Sequence, residues 1–256
     1  MSIDLPPPPP PPGLPPPPPF PGSSSEPKAR VRWATGDAVW AFVVGIAVSV
    51  LAAVFVIHAA KPVQLIVLIA AQDLSIIAYL AVVARRRGVG SLRADFGFTI
   101  RPAAEGFLAG LRWLVYGVLL QLAALVPIGI LEAVHGGTAR QDVVNTADQA
   151  RGVEVALMVL CVAVLAPVTE ELLFRGAFLR SFLRRMTPDR AVFLAAVLFA
   201  LVHLIGDPSV GSLIALPAIM LLGVISGYQA VRTGNLSRSM MLHMGFNLLS
   251  VFVLFT

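Results

Sequence analysis

Long apolar runs separated by short polar segments dominate the chain after residue 36. This pattern predicts helices near 37–59, 63–84, 104–131, 153–175, 191–206, 210–231 and 239–256. Several runs reach the roughly 20 residues that a helix needs to cross a bilayer. They lack the alternation of apolar and polar positions that is typical of a membrane β-strand. The sequence therefore predicts an all-α, polytopic membrane helix bundle with about seven transmembrane helices.

Proline is expected to affect the third and the fourth of these helices. The third contains Pro127, where we expect a kink, because proline removes a backbone hydrogen bond inside a helix. The fourth contains Pro167 and is expected to continue as an amphipathic stretch towards Arg185. The fifth is short for a full membrane span.

Composition supports a membrane protein. Hydrophobic residues make up 57% of the chain and charged residues 13%, whereas a soluble domain carries about 25% charged residues. The formal net charge is +5, but the basic residues cluster at the ends of the apolar runs. That placement indicates membrane topology and not a nucleic-acid partner.

The first 36 residues differ from the rest. Residues 6–12 and 15–19 are continuous proline, and such runs form extended, solvated polyproline II segments that bury nothing. We predict a disordered proline-rich cytoplasmic tail over 1–36 and a transmembrane helical domain over 37–256. The tail is interpreted as a spacer; a ligand for a proline-binding module is the alternative.

Basic residues predict the orientation. If seven helices cross the membrane, most of the 19 Lys and Arg residues fall on one side, in segments 28–32, 85–101, 180–190 and 232–238. The positive-inside rule makes that side cytoplasmic. We therefore expect a multi-pass protein of a bacterial cell membrane with the tail inside and the C-terminus outside.

Several polar residues interrupt the apolar helices. Ionisable groups in hydrocarbon are costly and usually face a partner or a cavity. The strongest cases are Glu170, Glu171, Arg175, His203, His243 and Asn247, with Asp73, Arg112 and Gln121 as lesser ones. We expect Asp73 to pair with Arg112 or to support Arg175, because neither charge should stand alone in lipid.

Helical geometry separates the two adjacent glutamates. Glu171 and Arg175 are four residues apart and share a helix face, so they can form an ion pair. Glu170 points about 100° away and does not share that partner as easily. Glu170 is therefore the expected catalytic carboxylate, a general base in a dry cavity, with Glu171 and Arg175 as its scaffold. The alternative is a buried salt-bridge knot that serves helix packing.

His243 and Asn247 lie one helical turn apart. A neutral histidine and an amide on one face offer two N–H donors, which suits an oxyanion hole for an attacked peptide carbonyl. With Glu170 and His203 they form a set for water-mediated peptide hydrolysis. Zinc held by Glu170, His203 and His243 is the alternative chemistry, although the HExxH spacing is absent. The single cysteine, Cys161, is interpreted as an apolar filler.

Three motifs occur in order on successive helices. They are EExxxR at Glu170–Arg175, FxxxH at Phe199–His203 and HxxxN at His243–Asn247. At these residues the chain resembles the CPBP family of intramembrane endopeptidases, which includes CAAX proteases and bacteriocin-processing or self-immunity proteins and is also called the Abi family. The resemblance covers roughly residues 150–256, the expected catalytic core.

The resemblance implies a glutamate-type peptidase and assigns roles to the motif residues. Glu170 and His203 would activate a water, and His243 and Asn247 would stabilise the oxyanion, with Phe199 as a supporting residue. No cofactor is implied, although older descriptions of the family gave it a metal. The expected partners are a peptide or protein substrate at the membrane and the lipid bilayer. Prenyl-protein specificity is not assumed.

Two other functions fit parts of the pattern. A non-enzymatic immunity or scaffold protein would bind a peptide or partner in the same cavity. A transporter would use Asp73, Arg112 and the glutamates as an ion path, but the sequence shows no inverted repeat and no paired broken helices. The peptidase is therefore the preferred interpretation.

Overall fold

The computed structural model describes residues 31–99, 106–135, 146, 149–206 and 209–254. All regular structure in these residues is helical. The helices are α1 (Thr35–Val56), α2 (Lys61–Arg87), α3 (Leu92–Phe96), α4 (Gly106–His135), α5 (Val153–Phe182), α6 (Pro188–Gly206), α7 (Val210–Thr233) and α8 (Ser237–Leu254). The predicted all-helical class is confirmed for this part of the chain.

Five helices are long and apolar enough to cross a membrane, namely α1, α2, α4, α5 and α7. Helices α6 and α8 lie where the sequence predicts them but are not among these five, so the seven-span count stays a prediction. Large apolar side chains point outwards from α1 and α4, such as Phe55 and Leu108, which are 88% and 77% exposed. Such faces suit contact with lipid, because hydrocarbon requires no polar surface.

Helices α1 and α2 form an antiparallel pair. At one end, Arg87 at the end of α2 forms an ion pair of 2.6 Å with Asp37 in the first turn of α1. In the middle, Gly45 of α1 is buried against Ile76 of α2, and a methyl group at residue 45 would meet the Ile76 side chain at 2.6 Å. Glycine therefore allows the two helix axes to approach closely.

The segment before α1 packs against the helical domain. Trp33 is buried, donates a hydrogen bond of 3.1 Å from Nε1 to the Asp95 carboxylate, and lies against Phe96. The guanidinium of Arg184 covers the Trp33 ring at 3.8 Å. The short helix α3, which the hydropathy pattern did not predict, contributes Asp95 and Phe96. The proline runs assigned to the tail lie outside the described residues.

Helix α5 alternates between α-helical and π-helical turns. Its π-helical segments are Cys161–Leu165 and Glu171–Leu179, on either side of the α-helical segment Ala166–Glu170. Pro167 has no N–H for the carbonyl of Ala163, four residues earlier, and its ring crowds that carbonyl. The wider π turn before it relieves this conflict. Such π segments occur frequently at functional sites; here they flank the α-helical turn that ends at Glu170, and the second one begins at Glu171.

Helices α4 and α8 pack with their backbones nearly in contact. A methyl group at Gly117 would lie 1.9 Å from the carbonyl oxygen of Leu242, and one at Gly245 would lie 1.9 Å from that of Leu114. Small residues commonly permit this approach between membrane helices. Gly245 lies between His243 and Asn247, so this contact fixes the helix that carries the third motif. Helix α4 continues through Pro127 without a break.

Candidate active site

The three motifs converge between α5, α6 and α8. Helix α5 supplies Glu170, Glu171 and Arg175, α6 supplies Phe199 and His203, and α8 supplies His243. The sequence separations exceed 70 residues between α5 and α8, so only the fold brings these groups together.

Glu171 lies at the centre of a buried polar network. Its Oε1 lies 3.0 Å from Nη1 of Arg175 and 3.1 Å from Nδ1 of His243. The Glu171 and Arg175 side chains are 0% and 1% exposed. The ion pair between residues four apart, which the sequence predicts, is therefore present in the structure. In low dielectric such a pair requires further hydrogen bonds to offset desolvation, and the His243 ring supplies one of them.

The Arg175 guanidinium makes two further contacts, one with a backbone carbonyl and one with an aromatic ring. Its Nη2 donates a hydrogen bond of 3.1 Å to the carbonyl of Gly223 in α7. Its guanidinium also lies over the Phe199 ring, 4.4 Å from the centroid. Arginine suits this position because its planar group can both donate hydrogen bonds and stack on an aromatic ring. Sequence reasoning missed the Gly223 carbonyl, because a backbone acceptor carries no side-chain signature.

Glu170 points to a different place from Glu171. Its Oε2 lies 3.5 Å from Nε2 of His243 and 4.0 Å from Nε2 of His203. The Glu170 side chain is 26% exposed and that of His203 is 28% exposed, whereas His243 is 2% exposed. Glu170 and His203 are thus the accessible members of the cluster, and Glu171, Arg175 and His243 lie beneath them.

Hydrogen bonds at Nδ1 orient both histidine rings. His203 Nδ1 lies 2.8 Å from the Phe199 carbonyl, which can only accept, so Nδ1 carries the proton. His203 Nε2 then carries a lone pair in the neutral ring and faces Glu170. His243 Nδ1 faces the Glu171 carboxylate in the same way. The Phe199 ring contacts both imidazoles edge to face, at centroid distances of 4.7 Å and 5.5 Å.

Asn247 lies one turn beyond His243 but bonds elsewhere. Its Nδ2 donates a hydrogen bond of 2.9 Å to the carbonyl of Val162, which belongs to the first π-helical segment of α5. One of the two side-chain amide N–H groups of Asn247 therefore donates to Val162, and the other N–H takes no part in this hydrogen bond. The contact joins α8 to the irregular turn that precedes Glu170.

The expected ion pair of Asp73 is not present. Within the described residues, Asp73 has no ion pair with Arg112 or Arg175, so that prediction is wrong. Helix α2, which carries Asp73, packs against α5. The sequence gives the position of each charge along its own helix, but it does not give which helices pack against each other.

A metal site receives no support from the donor set. Among the described side chains, no three His, Cys, Asp or Glu residues are grouped so that they could hold a metal ion. This includes Glu170, His203 and His243.

Comparison with known proteins supports the resemblance noted in the motifs. Residues 152–249 match the family described as type II CAAX prenyl endopeptidase Rce1-like, which confirms the predicted likeness to CAAX proteases. A curated Escherichia coli protein, described as an uncharacterized 24.3 kDa protein, is 32% identical over 91 residues. That alignment covers 36% of this chain and 41% of the relative, so the chain spans about two fifths of the relative's length. No solved structure matches.

Proposed function

We propose that this multi-pass membrane protein is an intramembrane endopeptidase of the glutamate type. The observation that carries the proposal is the position of two proton acceptors, Oε2 of Glu170 and Nε2 of His203, which lie 4.0 Å apart on side chains that are 26% and 28% exposed. Oε2 of Glu170 is buried without a hydrogen-bond partner among the described residues, and a single water that donated one hydrogen bond to it and one to Nε2 of His203 would satisfy both acceptors at normal lengths. Such a water is positioned to attack a peptide carbonyl.

In the proposed reaction, Glu170 takes a proton from this water as the oxygen forms a bond to the carbonyl carbon. His203 orients the water through its Nε2 lone pair. The tetrahedral intermediate then breaks its C–N bond, and the proton held by Glu170 passes to the leaving nitrogen. General acid–base catalysis of this kind contributes typically about 10²–10⁴-fold in rate.

The oxyanion is the role proposed for His243 and Asn247. Nε2 of His243 faces the site, and when it carries a proton the ring is an imidazolium whose Nδ1–H remains bonded to Glu171. The second N–H of Asn247 is the other proposed donor. Preorganised donors of this type commonly give the largest catalytic contribution.

The substrate class follows from the surroundings. A site on helices that suit a bilayer favours a peptide or protein at the membrane, and the matched family is described as acting on CAAX prenyl substrates. The predicted orientation would place basic segments 180–190 and 232–238 on the cytoplasmic side. The prenyl group is not assigned to this chain's substrate.

The test is cleavage of a quenched peptide library, some members farnesylated, by purified protein in detergent. We expect Glu170→Gln to abolish cleavage, because the amide keeps the shape but accepts no proton. Glu154→Gln makes the same chemical change in the first turn of α5 and serves as the control. Cleavage by wild type should survive a strong chelator. Full activity of Glu170→Gln would overturn the proposal, and loss on chelation with recovery in zinc would favour the metal mechanism.

A further inference from the structure

A basic cavity lies where α5 ends. Its volume is about 470 Å³, within the roughly 300–1,000 Å³ that is usual for ligand sites. Glu170, His203, His243 and Asn247 are not part of its lining. The charged and aromatic residues that line it are Trp33, Asp95, Arg175, Arg180 and Arg184. The cavity is therefore distinct from the cluster to which the peptidase chemistry is assigned.

Two of the three arginines in this lining have no counter-charge. Among the described residues, neither Arg180 nor Arg184 lies within ion-pair distance of a carboxylate. Arg180 donates hydrogen bonds to the backbone carbonyls of Asp95 and Gly234. Arg184 donates one of 2.7 Å to the carbonyl of Trp33 and lies over the Trp33 ring at 3.8 Å. Because a guanidinium has five N–H donors, these neutral partners fix both groups and leave donors for a ligand.

The carboxylate of Asp95 is occupied by other donors. It accepts a hydrogen bond of 3.1 Å from Nε1 of Trp33, and it also accepts bonds from the backbone N–H groups of Val89 and Ser91. These contacts hold the turn between α2 and α3. Asp95 therefore lowers the positive charge of the cavity without pairing with either arginine.

The charge of the lining suits a singly charged anion. Arg175 forms its ion pair with Glu171, and when that pair is counted as neutral the lining keeps one positive charge in excess. A phosphodiester carries one negative charge and would neutralise it. Guanidinium groups match the geometry of phosphate oxygens and can bind them with two parallel hydrogen bonds. A fixed pair of such groups is preorganised for this ligand.

The cavity lies at the level where membrane-crossing helices end. Trp33 is two residues before α1, Arg184 is two residues after α5, and Gly234 is one residue after α7. Positions just outside a span lie among the lipid headgroups, where tryptophan and arginine are typical. Basic pockets between such helices are known to bind phospholipid headgroups. The position of the cavity thus points to a lipid as the source of the phosphate.

We propose that this cavity binds the phosphodiester headgroup of an anionic membrane phospholipid, with Arg180 and Arg184 as its ligands. The bound headgroup supplies the counter-charge that the chain itself does not provide to these two guanidinium groups. The proposal does not depend on the peptidase function.

The test is titration of the full chain in detergent with short-chain phosphatidylglycerol, and with short-chain phosphatidylcholine, whose headgroup has no net charge. We expect wild type to bind phosphatidylglycerol more tightly. Arg184→Gln should weaken that binding about tenfold, because a charge-assisted hydrogen bond is lost. Arg185→Gln removes the same charge from the next residue, which is exposed and outside the lining. It should change the affinity by less than about twofold, since salt screens exposed charges.

Arg184→Lys keeps the charge and gives a second variant in case Arg184→Gln lowers the folded yield. It should bind phosphatidylglycerol more weakly than wild type, because an ammonium group cannot make the two parallel bonds. Equal effects of Arg184→Gln and Arg185→Gln would overturn the proposal, since the lipid would then respond only to general surface charge. Absence of binding by wild type would overturn it as well. Displacement of the phospholipid by inorganic phosphate would assign the cavity to a free phosphate and refute the lipid.

Discussion

Glu171 and Arg175 form an ion pair of 3.0 Å in which neither side chain is more than 1% exposed. The pair lies in a π-helical segment, where residues four apart remain close to one turn. It is the buried part of the cluster, whereas the Glu170 and His203 side chains are 26% and 28% exposed.

The first prediction concerns this pair. Arg175→Met should destabilise the protein by about 3–5 kcal/mol, because it leaves the Glu171 carboxylate buried without its counter-charge. The double variant Glu171→Leu with Arg175→Met should recover part of that loss, since both charges are then absent. The measurement is reversible unfolding in detergent micelles.

The control for this series is Arg85→Met, an exposed position on α2. A change at such a site usually stays within about 0.5 kcal/mol. If Arg175→Met were as mild as Arg85→Met, Glu171 would not depend on Arg175 for its charge, and the scaffold role of the pair would be withdrawn.

The second prediction separates the two histidines. His203→Ala should lower kcat by about 10²–10⁴-fold while leaving stability nearly unchanged, because His203 is 28% exposed and its ring bonds only to a backbone carbonyl. His243→Ala should lower both kcat and stability, since it removes a buried hydrogen bond to Glu171. Unfolding and cleavage are measured on the same preparations. Equal stability losses in the two variants would contradict this division.

Much of this arrangement is predictable from sequence, and the reasons for the failures are physical. Apolar periodicity predicts the helices because each must present its own hydrophobic surface to lipid, and α6 and α8 begin within a few residues of their predicted starts. The pair Glu171–Arg175 is predictable because helical spacing alone determines it. The likeness of residues 152–249 to CAAX proteases follows from three motifs within apolar helices.

The remaining features depend on which helices pack together. Asp73 does not pair with Arg112 because its helix α2 packs against α5, and no local pattern encodes that contact. The π-helical turns of α5 have the same composition as ordinary helix, so only Pro167 hinted at irregularity. The bond from Asn247 to the Val162 carbonyl depends on one of these turns.

The third prediction concerns that bond. Asn247→Leu should destabilise the protein by about 1–3 kcal/mol, because the part-buried Val162 carbonyl of the π turn loses its donor. It should also lower kcat, since the proposed oxyanion donor is lost. Asn247→Gln keeps the amide on a longer chain and should restore part of the stability but little of the rate. If Asn247→Leu unfolded like wild type, the contact with Val162 would be energetically unimportant.

The last prediction concerns the approach of α4 to α8. Gly245→Ala should destabilise the protein by more than the roughly 1–3 kcal/mol of ordinary overpacking, because the new methyl group would meet the rigid Leu114 carbonyl at 1.9 Å. Gly129→Ala, on α4 where a methyl group meets nothing within 4 Å, should be neutral or slightly stabilising. Since Gly245 lies two residues from His243, separation of the helices should also move that ring away from Glu171 and lower kcat. Unfolding and cleavage are compared for both variants in detergent. Equal behaviour of Gly245→Ala and Gly129→Ala would mean that α8 is not held by this contact, and the histidine would then be fixed by its hydrogen bond to Glu171 alone.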